Sequence, residues 1–203
     1  DFGDPNDRND AAVGFALENA QLRLALLSAQ DGADADIAEA NWLGLTASAG
    51  QIGFVGVDDL TMSVSNLSVE LNQVFGLAAG IDADTRVVDF AARPVDVPTG
   101  ESTVESLSLS GSEGELIRAT ADIEIALGGF AYLGGSLGLE KSRRSLRLSD
   151  GQYVSHDVLT IGGQDIQAFA GVNGGPLVDS NNDGVIDSQD TPGADAIGLV
   201  FYA

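Results

Sequence analysis

Twelve residues near the end of the chain, 179–190, carry oxygen-bearing side chains at a regular spacing. Asp179, Asn181, Asp183, Asp187 and Asp190 stand at positions 1, 3, 5, 9 and 12 of this segment, with a glycine at position 6. A calcium ion takes six to eight oxygen ligands, and a twelve-residue loop can supply them by winding once around the ion. The sequence therefore predicts a calcium site whose ligands are the five side chains Asp179, Asn181, Asp183, Asp187 and Asp190 and the backbone carbonyl of Val185.

The segment resembles the calcium loop of the EF-hand family, most closely the dockerin type, in which Asp stands at position 12. This resemblance covers only these twelve residues and implies the calcium chemistry. The sequence departs from that family at 191–193, Thr-Pro-Gly, because proline ends a helix where the family begins one. We therefore do not expect the protein partner of dockerins. The alternative interpretation is a solvated acidic turn that matches the spacing by chance.

The chain is strongly acidic, with a formal net charge of −22 and a pI of about 4.1. A charge of this sign repels nucleic acid phosphates and anionic lipid surfaces, so we expect neither a nucleic acid partner nor membrane insertion. The favoured partners are cations, because divalent ions relieve the repulsion among the carboxylates. Calcium thus fits the composition of the whole chain as well as the local spacing.

The sequence contains no cysteine, so neither disulfides nor thiolate metal sites stabilise the fold. A chain of 203 residues is long enough to bury a core without them. No apolar run reaches about 18 residues, and the first residues are acidic, so we expect neither a transmembrane helix nor a signal peptide.

The two ends of the sequence carry similar apolar segments. Residues 12–17, Ala-Val-Gly-Phe-Ala-Leu, match residues 196–201, Ala-Ile-Gly-Leu-Val-Phe, and the two begin 184 residues apart, at Ala12 and Ala196. Each follows an Asp-rich loop that contains proline. This similarity predicts that residues 1–203 form a single β-rich repeat unit of a tandem array, with acidic junction loops at 1–11 and 178–195. The alternative is a coincidence between two short apolar strands.

Most of the remaining sequence has the pattern of strands. Apolar and polar residues alternate at 60–64, 67–71, 104–109, 123–127 and 146–148, which is the period of a half-buried sheet. Clusters of Gly, Asp, Asn and Ser at 57–59, 111–114, 149–151 and 173–176 predict turns between them. We expect an all-β, elongated fold, either a β-solenoid or a long-stranded layered antiparallel sheet.

Two segments share a pattern centred on asparagine. Residues 17–24 and 64–71 align with Asn19 and Asn66 in the same slot, and in both the apolar phase slips by one residue after the Asn. This predicts a bulge or bend at each Asn, with the side-chain amide bonding to the backbone groups that the bend leaves unpaired.

One stretch, 33–42, is compatible with a short acidic helix, a second cation loop or a solvated hairpin tip, and the tip is favoured. Catalytic signals are weak. The single histidine, His156, lies in a strand pattern, and no nucleophile elbow or phosphate-binding loop accompanies it. A carboxylate pair for glycoside hydrolysis would need aromatic platforms, and one Trp and three Tyr supply few. We therefore expect no enzymatic activity.

The organisation as a whole resembles the tandem repeats of giant secreted bacterial adhesins and extracellular fibre proteins. The resemblance is one of pattern, at 53–61, 88–92 and 114–119 and in the acidic junction loop. It implies an extracellular or cell-surface structural repeat, rigidified by calcium and associated with neighbouring copies of itself. The competing hypothesis is a calcium-dependent module that binds carbohydrate.

Overall fold

The structure, a computed structural model, describes residues 12–182 and 190–202. Strands make up 59% of it, and the all-β prediction is confirmed. The strands are β1 Gly14–Glu18, β2 Gln21–Ser28, β3 Asn41–Val55, β4 Leu60–Phe75, β5 Val95–Pro98, β6 Val104–Leu107, β7 Leu116–Leu127, β8 Ala131–Arg147, β9 Tyr153–Val172 and β10 Ile197–Tyr202. Two 3₁₀ turns, Ala83–Thr85 and Gly111–Glu113, are the only helical elements of these residues. None of their helices has the length and apolar character needed to cross a bilayer.

One antiparallel sheet contains all the long strands, in the order β1-β3-β4-β7-β8-β9-β10. β2 continues along the same side of β3 as β1, so β1 and β2 share one edge of the sheet. β5 and β6 form a separate hairpin. Of the two predicted forms, the antiparallel sheet agrees with this topology, and no solenoid is detected in the described part of the chain.

The predicted bends at Asn19 and Asn66 are confirmed. Both residues have a φ of 52°, a left-handed conformation that asparagine tolerates better than most residues. At Asn66 the register of β4 against β7 shifts between Ser65 and Ser68, as in a β-bulge. The prediction for the side chain was wrong, because the Asn66 amide donates to the carboxylate of Asp122 at 2.7 Å and not to the backbone.

A third interruption of this kind was not predicted. β9 shifts its register against β8 beside Asp165, whose φ is 53°. The residue opposite is Gly135, at a φ of 142°, where an added Cβ atom would lie 2.6 Å from Ile166.

The bulges keep the apolar side chains of every strand on the same side of the sheet. β7 alternates without interruption, so Ile117, Ala119, Ile123 and Ile125 share a face. Their direct partners on β4 are even-numbered on the N-terminal side of the bulge and odd-numbered on its C-terminal side. The extra residue at the bulge shifts the alternation of side chains along β4 by one position. The side that carries these residues is called the apolar face. Its pairs include Leu71 with Ile117, Val69 with Ala119, Val64 with Ile123, and Leu139 with Ile161.

The opposite side, called the covered face, receives the returning loops. Residues 76–115 cross it and place Phe90 and Leu107, both fully buried, against β2 and β3. Gly44 allows this contact, since an added Cβ would lie 2.5 Å from a ring carbon of Phe90. Near the other end of the sheet, Gly174 lies against the ring of Phe169. Because these loops lie on one side, the buried core is small and one-sided.

The local predictions are confirmed in most places. Residues 29–40 are a succession of turns between β2 and β3, which agrees with the favoured hairpin tip, and no helix forms at 33–42. The predicted strand segments lie within β4, β6, β7 and β8, apart from 108–109 and Leu148, which lie just beyond strand ends. The predicted turn at 111–114 contains the second 3₁₀ turn.

Replacing Asn66 tests the first bulge. We expect Asn66→Ala to lower the free energy of unfolding by about 2 kcal/mol, since alanine tolerates the left-handed backbone poorly and the bond to Asp122 is lost. Asn66→Gly loses only the bond and should cost less, about 1 kcal/mol. Urea denaturation measures both. Equal losses in the two variants would show that the backbone conformation at this position contributes nothing.

Candidate functional site

The predicted calcium loop follows β9, and the structure describes both of its ends. Val178 and Thr191 form an antiparallel bridge with an N–H to carbonyl distance of 3.1 Å. Asp179 and Asp190, positions 1 and 12 of the loop, are adjacent in sequence to the bridged residues and therefore lie close together. Asp190 is buried, with 8% of the residue exposed, and its carboxylate accepts a hydrogen bond from the backbone N–H of Ser180 at 2.8 Å. A loop closed in this way keeps its first and last residues close together.

The centre of the loop lies outside the described residues. Of the predicted ligands, Asp179, Asn181 and Asp190 are described, whereas Asp183, Val185 and Asp187 are not. Among the described residues there is no group of three or more His, Cys, Asp or Glu that could hold a metal ion. The ligand set therefore remains a prediction, and its described part is the closed pair of loop ends.

A row of polar residues crosses the middle of the covered face. Direct cross-strand partners form the sequence Arg23, Thr46, Glu70, Arg118, Glu140, Thr160 from β2 to β9. Arg118 lies at its centre and contacts three carboxylates, those of Glu70 at 2.9 Å, Glu140 at 2.9 Å and Glu113 at 2.7 Å. Glu113 belongs to the loop 76–115, so this arginine also fixes the loop to the sheet.

The row has consequences for protonation. The Ser142 hydroxyl, with the guanidinium groups of Arg118 and Arg144, lowers the pKa of Glu140 from its ordinary 4.5 to about 2. The hydrogen bond that Arg118 donates to the Glu140 carboxylate is the main cause that raises the pKa of Arg118. These residues thus stay charged at neutral pH, and their opposite charges compensate one another. The arrangement joins β4, β7, β8 and the loop 76–115 through ion pairs.

A second polar cluster lies next to the first bulge. Asp122 accepts hydrogen bonds from the Asn66 amide and the Ser136 hydroxyl, which lower its pKa. The cavity beside it has a volume of about 450 Å³, is open to solvent, and is also lined by Thr120, Gly138 and Gln164. Sequence reasoning missed Asp122, because its partner Asn66 is 56 residues away and only the register of β4 against β7 joins them.

The remaining candidates do not join a common site. His156 lies on β9 directly opposite Arg144, on an exposed part of the sheet. In the turns at 29–40, Asp36 pairs with Arg86 at 3.3 Å, and these acids are not grouped as metal ligands. The acidic residues of the first junction loop, 1–11, lie outside the described residues.

No protein-family model, curated protein sequence or solved structure matches this chain. The function is therefore argued from the chain itself.

The pKa of Glu140 predicts how stability changes in acid. A carboxyl whose pKa is lowered by folding stabilises the folded state above its unfolded pKa, and this contribution is lost as the pH falls. We expect the free energy of unfolding to decrease as the pH falls from 4.5 to about 2. In Glu140→Gln this decrease should be smaller, while Glu101→Gln, in the exposed turn between β5 and β6, should behave as the wild type. Urea denaturation at a series of pH values measures the difference. Parallel pH profiles for wild type and Glu140→Gln would contradict the assignment.

Calorimetry tests the calcium loop. Titration of the chelated protein should show calcium binding that Asp183→Ala largely abolishes, because this variant removes a direct ligand from the centre of the loop. Asp195→Ala makes the same charge change in the same acidic segment but outside the twelve positions, so it should bind calcium as the wild type does. Undiminished binding in Asp183→Ala would exclude the loop as the site.

Proposed function

We propose that this chain is a structural unit of an extracellular filament or surface adhesin, joined to neighbouring copies of itself and rigidified by calcium at the loop 178–195. Its role is mechanical, and it has no catalytic activity. The observation that carries the proposal is the relation between the strands at the two edges of the sheet.

The two segments that are similar in sequence lie in β1 and β10, at opposite edges of the sheet. An antiparallel order with five strands between them gives β1 and β10 the same direction. They also present their large side chains to the same side. On β10, Phe201 pairs with Ala168, which lies in the same cross-strand row as Leu133 and Ile125. On β1, Leu17 pairs with Ile52, which lies in the same row as Val64 and Ile123. Both rows belong to the apolar face.

The neighbours of these two strands are complementary. β1 pairs with β3 on one side, and β10 pairs with β9 on the other side. A single strand could therefore be β10 of one unit and β1 of the next, with β9 and β3 as its two neighbours. Such sharing would remove an exposed strand edge, which otherwise invites uncontrolled association. The sheet would then continue from unit to unit.

The acidic loop immediately precedes the strand that would be shared. Residues 178–195 lead directly into β10, and the bridge between Val178 and Thr191 closes them at their base. Without an ion, carboxylates held together in this loop repel one another and favour varied conformations. Calcium would remove both effects by ligation, and would fix the direction in which the chain enters the shared strand.

A two-copy chain tests the proposal. Residues 1–195 followed directly by 12–203 place one segment in the shared position. We expect this protein to fold with a single continuous sheet and, with calcium, to give a long, reproducible maximum dimension in small-angle scattering. Chelation should make the particle shorter on average and more variable. The matched control carries Asp183→Ala in the first copy and should resemble the chelated sample even with calcium.

Two outcomes would contradict different parts of this proposal. Identical scattering with and without calcium, with both units folded, would show that the ion does not set the geometry between units. Independent unfolding of two units, one of which lacks a stable edge strand, would show that the strand is not shared.

The carbohydrate-binding alternative has one observation in its favour. A polar cavity of about 250 Å³ lies between the sheet and the β5–β6 hairpin, and Thr46, Ser48, Ser68 and Ser106 line it with hydroxyl groups. The Thr46 hydroxyl is buried there without a hydrogen-bond partner among the described residues. Chelator-sensitive binding to a restricted set of glycans would favour this alternative over the structural role.

A further inference from the structure

The apolar face is the largest feature of the molecule that the proposed function leaves unexplained. The loop 173–177 and most of the loop 76–115 pack on the covered face, whereas Asp82 and Asp84 reach Arg143 at one corner of the apolar face. Side chains of the apolar face remain open to solvent at both margins, with Leu26 and Ile161 each 73% exposed. The residues outside the described ranges, 1–11, 183–189 and 203, have Phe2, Val185 and Ile186 as their large apolar side chains.

The size of this face exceeds what a soluble monomer exposes. β3 alone spans 15 residues, and the sheet is seven strand positions wide. At about 3.3 Å per residue and about 4.8 Å between strands, the face measures about 1,500 Å². The largest apolar patch on a typical monomer is about 300–600 Å². Complete contact between two such faces would bury at most about 3,000 Å², and obligate homodimers bury about 2,000–5,000 Å².

Charge is divided sharply between the two sides of the sheet. The covered face carries the ionic row centred on Arg118 and also Asp122 and Glu124. The charged residues of the apolar face are confined to one corner, at the β8–β9 turn end: Lys141, Arg143, Arg147 and Asp157. Outside this corner, a partner must therefore be an extended apolar surface. With a net charge of −22 on the chain, an anionic lipid surface does not meet this requirement.

The relief of the apolar face points to a second copy of the same chain. In its central rows, small and large residues alternate from strand to strand. β3 contributes Ala47 and Ala49, and β7 contributes Ala119 and Ala121. β4, which lies between these two strands, contributes Leu67 and Val69. β8, on the other side of β7, contributes Leu137 and Leu139. In these two rows β3 and β7 are thus grooves and β4 and β8 are ridges, whereas in the row of Ile123 the small residue is Gly135 on β8.

These ridges and grooves complement one another under twofold symmetry. A twofold axis parallel to the strands, between β4 and β7, places β4 of one copy over β7 of the other. The same rotation places β8 over β3. In the two rows of alanines, every ridge then faces a groove, which gives an isologous contact. At the margins, large residues such as Leu22 and Ile161 would meet where twisted sheets separate from each other.

We propose that two copies of this chain pack through their apolar faces, with the β4 and β8 ridges of each copy in the β7 and β3 grooves of the other. The covered faces, with their charges and loops, lie outside. The pairing depends neither on the calcium loop nor on a shared edge strand, so it can fail while the proposed function holds.

Sedimentation of the chain with and without calcium tests this pairing. The wild type should be a dimer in both conditions. Ala119→Lys should weaken dimerisation at least tenfold, although lysine lowers the net negative charge and so reduces general repulsion between copies. The matched control is Thr120→Lys, the next residue on β7, which projects from the covered face and is exposed. It should remain a dimer.

A second variant separates shape from hydrophobicity. Ala47→Leu fills a groove of β3 with an apolar side chain. It should weaken the interlocked dimer, whereas unspecific apolar association or adsorption to lipid would become stronger. Because this substitution projects from the uncovered side, the monomer should fold, and circular dichroism verifies this for each variant.

The outcomes that overturn the proposal are specific. A wild type that remains monomeric overturns it, and so does a dimer that is weakened equally by Ala119→Lys and Thr120→Lys. A dimer that Ala47→Leu strengthens would exclude the interlocked geometry. Flotation of wild-type monomers with neutral phosphatidylcholine vesicles would identify a lipid surface as the occupant of the face and overturn the pairing with a second copy.

Discussion

The two-residue period of an extended strand is the constraint on which this molecule depends. A strand as long as β4 or β9 keeps one set of side chains on one side only while its alternation is uninterrupted. Where the apolar residues of the sequence change phase, the backbone must insert one residue, or half of each strand would turn its apolar side chains the wrong way. Asn66 and Asp165 make these insertions with a left-handed backbone. The separation of an apolar side from a charged side rests on them.

The covered face shows how an acidic chain stabilises such a sheet with few cations. Arg118 contacts carboxylates from β4, β8 and the loop 76–115. On the other side of the sheet, at the charged corner of the apolar face, Arg143 joins β8 to β9 and to the first 3₁₀ turn, through Asp157, Asp84 and Asp82. Each of these arginines therefore stabilises a connection between elements that are distant in sequence. The excess of acids is left to the loops and the outer surface.

Much of this fold could be predicted from the sequence, because alternation and turn residues are local signals. The strands, the turns between them and the bends at Asn19 and Asn66 follow from patterns within about ten residues. The bulge at Asp165 was missed because no second copy of its pattern exists for comparison. The loop 76–115 could not be placed, since Phe90 reaches Gly44 only through the packing of distant segments. The same holds for the Arg118 cluster and for Asp122, whose partners are set by strand register. For the calcium loop, the sequence remains the stronger source of evidence.

The register across the sheet bears on the shape of any array of such units. The row of direct partners that begins at Ala16 on β1 ends at Tyr202 on β10, whereas the sequence similarity of the two strands equates Tyr202 with Glu18. Each added unit would thus be displaced by two residues along the strands. Because side chains alternate between the two faces with a period of two residues, this even displacement would keep the hydrophobic faces of successive units on the same side. The polymer would then be a ribbon with one hydrophobic and one polar surface. A rise of about 7 Å over six strand spacings of about 4.8 Å would incline the strands by about 13° from the perpendicular to the ribbon's long axis.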